Sequence, residues 1–276
     1  MPNTQHKPSI LDVDHEVQSS AQSQNSIYFF SCEIREIRGL FNSLCSVENP
    51  HALTWVAPPF TLLFMFDRTI ADRFEIIRDY IAGRDVLDLG CVDARPQRHT
   101  AEQRIEYKAN LLHKRIAEVN GQVLGIDIDP EGARILNGQG FRVQVEDVET
   151  MSLGREFDTI VAGEIIEHLE NPGIFLRNMR KHLKPQGVLI VSTPNPFYAG
   201  SRWKIWRYGK PAVHEDHTNW QDPITLTSLM KRTGLAPFEG YWVQPKRNPI
   251  KTWSRVIRPY FSHGFMMLAR PAQAGR

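Results

Sequence analysis

The stretch that decides the fold is Asp85-Val-Leu-Asp-Leu-Gly-Cys-Val-Asp-Ala94. It begins as a short apolar run through Val86, Leu87 and Leu89, which is typical of a strand buried in a parallel sheet. The run stops at Gly90, where a residue without a Cβ atom permits a tight turn and the close approach of a ligand. The pattern therefore predicts a buried parallel strand that ends in a ligand-binding turn.

A second apolar run follows at Val123-Leu-Gly-Ile-Asp127 and ends in a carboxylate. In doubly wound folds, a Gly turn after one strand and an acid at the end of the next hold a ribose-bearing cofactor. We therefore expect Asp127 to accept hydrogen bonds from ribose hydroxyls. The residues after Gly90 do not form the G-x-G-x-x-G fingerprint of nicotinamide cofactors, so a different cofactor class is expected.

Apolar runs and helical periodicities alternate along the chain. Helices are predicted over residues 73–81, 111–119, 130–138 and 172–183, and strands over residues 86–89, 123–127, 141–145, 157–161, 188–191, 238–243 and 264–269. This alternation predicts an α/β protein with a doubly wound, mostly parallel sheet of seven strands and right-handed crossovers.

Composition sets the broad class. The 276 residues carry a net charge of +2 and are 41% hydrophobic, which is ordinary for a globular chain and excludes neither a nucleic-acid nor a membrane partner. The most apolar stretch, residues 53–66, is interrupted by Pro58-Pro59, and the N-terminus shows no signal-peptide pattern. The three cysteines lack paired or metal-type spacing. We expect a cytoplasmic protein.

Domain organisation follows from a change in composition. Residues 1–25 are rich in Gln, Ser and Asn and are expected to form a disordered tail. Residues 26–82 are apolar and aromatic and are interpreted as an N-terminal extension or cap. The cofactor-binding domain is assigned to residues 83–276.

From about Arg84 onward, the chain resembles class I S-adenosylmethionine-dependent methyltransferases, whose first motif is an Asp-x-Gly-x-Gly turn. Val92 and Ala94 stand where that motif has glycines. The resemblance implies S-adenosylmethionine as the cofactor and an antiparallel hairpin for the last two strands. It assigns the cofactor contacts to Asp88, Gly90, Asp127, Ile128, Asp147 and Glu164. Asp147 would face the adenine amino group, or else be a loop aspartate in solvent.

Acidic and imidazole side chains cluster after the strand at residues 157–161. Glu164, Glu167 and His168 have the i, i+3, i+4 spacing that places side chains on one face of a helical turn. Two carboxylates and an imidazole that converge require a positive charge between them, either a proton or a metal ion. An oxygen-rich set with few histidines favours Mg²⁺ or Mn²⁺ over zinc.

A later histidine-rich segment, His214-Glu-Asp-His217-Thr-Asn-Trp220, extends this pattern. Together with Ser192-Thr-Pro-Asn195, it resembles metal-dependent small-RNA 2′-O-methyltransferases. The Glu-x-x-Glu-His part also resembles ubiquinone-pathway O-methyltransferases. The resemblance implies four metal ligands: Glu164, Glu167, His168 and His217. His214 is an alternative to His217, and Asp216 would orient either ring. In a metal-free enzyme, His168 or His217 would instead be the catalytic base.

Two stretches mix basic and aromatic residues, at 201–210 and 245–260. Such mixtures suit RNA, an anionic membrane surface or an anionic lipid-like substrate, but also solvated loops. The sequence predicts O-methylation of a hydroxylated acceptor, most simply a small molecule, with assistance from a divalent metal. The alternatives are a metal-free methyltransferase acting on a small molecule or sugar, and a non-catalytic cofactor-binding scaffold that has lost activity through Val92 and Ala94.

Overall fold

The structure is a computed structural model and describes residues 65–92, 111–210, 214–244 and 258–273. All of these lie in one of the two compact units of the chain, Ala57–Arg276. The predicted tail at 1–25, most of the predicted extension, Ala94 and the basic segment at 245–257 lie outside the described residues. Within the described residues, no helix is long and apolar enough to cross a membrane.

Strands and helices alternate through most of this unit. In chain order they are β1 (Arg68–Ile70), α1 (Phe74–Ile81), β2 (Val86–Leu89), α2 (Leu112–Val119), β3 (Leu124–Asp127), α3 (Pro130–Gly138), β4 (Val143–Val145), β5 (Phe157–Gly163), a 3₁₀ turn (Ile166–His168), α4 (Pro172–Lys181), β6 (Leu183–Pro194), α5 (Ala199–Tyr208), α6 (Pro223–Arg232), β7 (Leu235–Val243), α7 (Arg258–Phe261) and β8 (Gly264–Pro271).

The sheet confirms the predicted fold class and adds one strand to it. Its order is β1-β7-β8-β6-β5-β2-β3-β4, and every strand pair is parallel except those made by β8 with β6 and β7. The eighth strand is β1, which pairs in parallel with β7 at the sheet edge. With only three residues, β1 is too short to show a strand period in the sequence.

Several element boundaries differ from the prediction. Strand β6 begins at Leu183 rather than 188, because Leu183 pairs with Phe157 before an irregularity in the register. Helices α5, α6 and α7 were not predicted. The start of α6 does carry a recognisable signal, because the Asp222 side chain accepts from the backbone N–H groups of Ile224 and Thr225 and Pro223 occupies the first turn.

Helices cover both faces of the sheet. Ile77 of α1 and Ile116 of α2 pack with one set of alternating strand residues. Phe175 of α4 and Met230 of α6 pack with the other set. Burial on both faces explains why the central strands read as continuous apolar runs. Because β2, β3, β5 and β6 run parallel, their carboxyl ends lie at the same edge, which is the binding edge of such sheets.

Candidate active site

The turn after β2 has the conformation that its glycine predicts. Gly90 has a φ of 68°, in the left-handed region that glycine adopts without strain. Its N–H donates to the Ile126 carbonyl at 2.9 Å, which ties the turn to β3. A Cβ atom on Gly90 would lie 3.3 Å from the Ile165 side chain. Both the backbone conformation and the closeness of Ile165 therefore favour glycine at this position.

Asp127 ends β3 with its carboxylate buried. One oxygen accepts from the Val92 N–H at 2.8 Å, and the other accepts from the Asp129 N–H at 3.0 Å. Burial raises the pKa of Asp127, and the amide donors oppose that rise. Each carboxylate oxygen can accept a further hydrogen bond, so this arrangement is compatible with the ribose contact that the sequence predicts.

Val92, which stands where the motif has a glycine, packs against α3. Its side chain is buried and points to α3, where a Cβ atom on Gly132 would lie only 2.1 Å from a Val92 methyl carbon. Gly132 thus leaves room for Val92. The substitution of the usual glycine is accommodated by packing against α3.

Asp88 lies beside a buried histidine. The Nδ1 atom of His113, on α2, is 2.9 Å from Asp88 Oδ2, and both side chains are buried. The sequence gives no signal for this pair, because the two residues are 25 positions apart and belong to different elements. His113 therefore belongs to the wall of the cofactor turn rather than to the protein surface.

Glu164 follows β5 in a left-handed backbone conformation, with a φ of 56°. Among the described residues, it is the only residue other than glycine that has a positive φ. Its carboxylate pairs with Arg73 Nη1 at 2.9 Å, and the same nitrogen donates to Ser192 Oγ at 2.7 Å. The predicted helical turn is the 3₁₀ turn Ile166–His168, which begins after Glu164. Sequence reasoning missed Arg73, which precedes α1 and lies far along the chain from its partners.

Three of the four predicted metal ligands come together. Glu167, His168 and His217 each offer a ligand atom, and these atoms lie within 4.8 Å of one another. Glu167 is buried, and its carboxylate accepts from Thr193 Oγ1 at 3.0 Å. Burial and the nearby Glu164 carboxylate raise the pKa of Glu167 to about 8. A buried carboxyl group with this pKa is stabilised either by binding a proton or by a cation placed next to it.

The imidazole of His168 has a defined second contact. Its Nδ1 atom lies 3.2 Å from the Asp216 carbonyl oxygen, so Nδ1 carries the proton that it donates. This leaves Nε2 as the atom with a free lone pair. Backbone partners of this kind orient histidine ligands in metal sites.

Thr218 and Asn219 hold the His217 segment beside the 3₁₀ turn. The Thr218 N–H donates to the Glu167 carbonyl at 2.9 Å, and Asn219 Nδ2 donates to the carbonyls of Ile166 at 2.9 Å and Leu169 at 3.0 Å. These contacts bring a segment from about 50 residues later onto the turn that carries Glu167 and His168. We call Thr218 and Asn219 the loop clamp. The sequence alone did not indicate that Thr218 and Asn219 hold the His217 segment beside the 3₁₀ turn.

The remaining predicted site residues lie apart from these three ligands. His214 contacts Asp216 Oδ2 at 3.3 Å, and its ring centroid is 5.7 Å from that of His217. Ile128 is 73% exposed. Asp147 is exposed, and its carboxylate accepts from the Glu149 N–H at 2.9 Å and caps a turn. Cofactor contacts by Ile128 and Asp147 stay predictions.

Two cavities meet at Glu167, His214 and His217. The larger has a volume of about 360 Å³ and is lined by the β2 turn, Arg73, Asp88, Glu164, Glu167 and the histidines. The smaller, of about 200 Å³, shares Glu167, His214 and His217 and continues toward Asn195, Ser201 and Trp220. The larger cavity therefore reaches the turn after β2, and the smaller cavity extends from Glu167 and His217 toward Asn195 and Trp220.

The comparison with known families agrees with this geometry. The profile of a methyltransferase-domain family matches residues 67–239. The chain belongs to this family. It is an S-adenosylmethionine-dependent methyltransferase, and the class I resemblance of its sequence is confirmed.

Curated relatives of this methyltransferase carry one recurring name. A "Ubiquinone biosynthesis O-methyltransferase" from Xanthomonas euvesicatoria pv. vesicatoria (strain 85-10) is 26% identical over 261 residues, covering 88% of this chain and 96% of the relative. One from Cereibacter sphaeroides (strain ATCC 17029 / ATH 2.4.9) is 24% identical, and the match covers 69% of this chain and 73% of the relative. The solved structure of a SAM-dependent methyltransferase from Archaeoglobus fulgidus aligns with a TM-score of 0.50 at 17% identity. The alignment covers 72% of this chain and 91% of that structure, and it supports the doubly wound α/β fold.

Proposed function

We propose that this methyltransferase transfers a methyl group to a hydroxyl oxygen of a small molecule, with help from a divalent metal ion. The observation that carries the proposal is the convergence of Glu167, His168 and His217 at the junction of the two cavities. The name of the ubiquinone O-methyltransferase relatives supports an oxygen acceptor.

We place the cofactor in the larger cavity, beside the turn after β2. Bound S-adenosylmethionine supplies a methyl group on a positively charged sulfur. Asp127 would accept from the ribose hydroxyls, and Gly90 leaves space that a Cβ atom would occupy. Arg73 is a cation in the same cavity and would attract the cofactor carboxylate, with its position set by Glu164 and Ser192.

The donor set fits a divalent ion. Glu167, His168 and His217 would hold it. With Glu164 outside the set, two imidazoles and one carboxylate are richer in nitrogen than the sequence predicts, which favours Mn²⁺ over the oxygen-preferring Mg²⁺ and also suits Zn²⁺ and Fe²⁺. Such an ion lowers the pKa of a bound hydroxyl and orients it. The remaining residues position the acceptor: the smaller cavity would hold its body and aim its oxygen toward the cofactor cavity, for in-line attack.

The test is calorimetric titration of S-adenosylmethionine and of Mn²⁺ into the wild type, Glu167→Gln and the control Glu215→Gln. Glu215 is an exposed acid on the same loop as His217. We expect cofactor binding in all three proteins, and Mn²⁺ binding that only Glu167→Gln loses. Methylation of a catechol panel, followed by mass spectrometry, should require Mn²⁺ or Mg²⁺. Turnover that chelators do not reduce would favour the metal-free enzyme with a histidine base, and absence of cofactor binding would contradict the proposal.

A further inference from the structure

His113, on α2, is a buried ionisable side chain that the proposed reaction does not use. Its exposure is 0%, and its Nδ1 atom lies 2.9 Å from Asp88 Oδ2. An ionised carboxylate only accepts hydrogen bonds, so Nδ1 carries the proton that the ring donates to Asp88. In the neutral ring, Nε2 then has a lone pair, and this buried nitrogen has no hydrogen-bond partner within the described residues.

The sheet leaves a slot for the imidazole of His113. Asp88 of β2 is the register partner of Gly125 of β3. A Cβ atom on Gly125 would lie 2.9 Å from His113 Cε1 and 2.7 Å from Cys91 Sγ, so the ring occupies space that a larger residue at position 125 would fill. The ring also lies edge-on to the ring of Phe141, with the two centroids 5.6 Å apart. The glycine therefore allows the imidazole to reach the end of β2.

Packing alone does not account for a histidine in this slot. A buried polar nitrogen without a partner lowers stability, and such groups in folded proteins call for an explanation. An apolar side chain of similar size would avoid this cost. What an apolar side chain could not supply is the hydrogen bond from Nδ1 to Asp88. The role of His113 therefore lies in its effect on Asp88.

Asp88 lines the larger cavity together with Arg73. The walls of this cavity thus carry charges of both signs. The amino-acid end of S-adenosylmethionine carries an α-carboxylate and an α-ammonium group, which match a cationic and an anionic wall. Each oxygen of a carboxylate has two lone pairs, so Asp88 can accept further hydrogen bonds besides the one from His113.

We propose that His113 is a positioning residue, which fixes the Asp88 carboxylate so that Asp88 accepts a hydrogen bond from the α-ammonium group of the cofactor. This role rests on the proposed placement of the cofactor in the larger cavity. His113 acts through Asp88. The hydrogen bond from Nδ1 restricts the side-chain rotation of Asp88, and a preorganised acceptor loses less conformational entropy when the ligand binds.

The test is calorimetric titration of two probes, S-adenosylhomocysteine and its deaminated analogue, in which hydrogen replaces the α-amino group. The ratio of the two dissociation constants measures the discrimination that the ammonium group provides. His113→Leu removes the donor to Asp88, whereas His113→Asn keeps a side-chain N–H group near the position of Nδ1. Ile116→Val, a packing change at a buried position of the same helix, is the control. Urea unfolding measures the stability of each variant.

We expect the wild type to bind the deaminated analogue about 10–100-fold more weakly than S-adenosylhomocysteine, because a hydrogen bond between charged groups is lost. His113→Leu should lose most of this discrimination, through weaker binding of S-adenosylhomocysteine alone. His113→Asn and Ile116→Val should keep it. Asp88→Asn should lose it as His113→Leu does, and the double variant should show no further loss, since the two residues act as a unit.

Other patterns would overturn the positioning role. Wild-type discrimination in a folded His113→Leu or Asp88→Asn variant would show that recognition of the ammonium group does not depend on this pair. An equal loss of affinity for both probes in His113→Leu would assign His113 a purely structural role.

If His113→Leu does not fold, His113→Asn provides the test, and a folded His113→Asn variant without discrimination would contradict the role. Absence of S-adenosylhomocysteine binding by the wild type would contradict the cofactor site itself, and the positioning role with it. Binding without discrimination by the wild type would contradict the positioning role alone and leave the cofactor site in place.

Discussion

At the residue scale, Glu164 has a backbone conformation that its own side chain disfavours. A left-handed φ of 56° costs a residue with a Cβ atom about 1 kcal/mol or more relative to glycine. In this conformation, the Glu164 carboxylate lies 2.9 Å from Arg73 Nη1. Strain of this kind concentrates at functional positions.

The cost of that conformation can be measured with two variants that both lack the carboxylate. We expect Glu164→Gly to be more stable than Glu164→Ala by about 1 kcal/mol in urea unfolding, because only alanine keeps the Cβ penalty. The same pair at Glu131, in the first turn of α3, should show the opposite order, since glycine disfavours a helix. An equal stability of the two Glu164 variants would contradict the strained backbone.

Gly132 supports the turn after β2 from a distance. Because a Cβ atom there would meet Val92, we expect Gly132→Ala to destabilise the protein by about 1–3 kcal/mol through overpacking. Val92→Ala removes the clashing methyl groups, so the double variant should recover much of that loss. Gly138→Ala, on the same helix with open space around it, is the control and should be close to neutral. Additive effects of Val92→Ala and Gly132→Ala, measured by urea unfolding, would refute the contact.

At the scale of elements, the loop clamp determines whether His217 reaches Glu167 and His168. Asn219→Ala removes two hydrogen bonds to the carbonyls of Ile166 and Leu169. We expect Mn²⁺ affinity to fall by about 10–100-fold, because residues that orient ligands contribute on this scale. Cofactor affinity should not change, since the β2 turn is untouched. Calorimetry measures both, and unchanged Mn²⁺ affinity would show that the clamp does not position the ligands.

Asp158 links the starts of three strands. Its Oδ2 atom accepts from Lys184 Nζ at 2.8 Å and from the Asp85 N–H at 3.0 Å, and the bond from Lys184 is the main reason that the pKa of Asp158 is lowered. A lowered carboxyl pKa stabilises the folded state above the unfolded-state pKa, and this contribution disappears as the pH falls through the folded-state pKa.

We therefore expect Asp158→Asn to be less stable than the wild type at pH 7, with the difference shrinking below about pH 4. About a third of each side chain is exposed, so the effect at pH 7 should be only about 0.5–1 kcal/mol. Urea unfolding at several pH values measures the difference. A difference that grows toward low pH would have the wrong sign for this explanation.

At the scale of the whole molecule, cofactor binding should stabilise the fold because the site is built from four strands and the segments after them. A ligand at 100 times its Kd adds about 2.7 kcal/mol to the free energy of unfolding. For a domain of this size, that corresponds to a rise of about 5–10 °C in Tm. Differential scanning fluorimetry with S-adenosylmethionine measures the shift. Asp127→Asn should reduce the rise in Tm. An unreduced rise in that variant would show that Asp127 does not bind the cofactor.

The sequence by itself determined the fold class and the position of the cofactor turn. Continuous apolar runs at β2, β5 and β6, the helical periods between them and the glycine at position 90 are local patterns, and each follows from burial or backbone geometry of neighbouring residues. The spacing of Glu164, Glu167 and His168 indicated a cluster, and the resemblance to metal-dependent methyltransferases made these three residues and His217 the candidate ligands. The class of cofactor followed from the motif.

Only the tertiary structure decided which of these residues meet. It paired Glu164 with Arg73, 91 positions away, and left Glu164 outside the group of three predicted ligands whose atoms lie within 4.8 Å of one another. It also buried His113 against Asp88 and fitted Val92 over Gly132. These contacts depend on how helices and loops pack on the sheet edge, and no local pattern of hydrophobicity or spacing encodes a packing contact between distant segments. Residue spacing and the family resemblance therefore indicated candidate residues, whereas the arrangement of those residues required the fold.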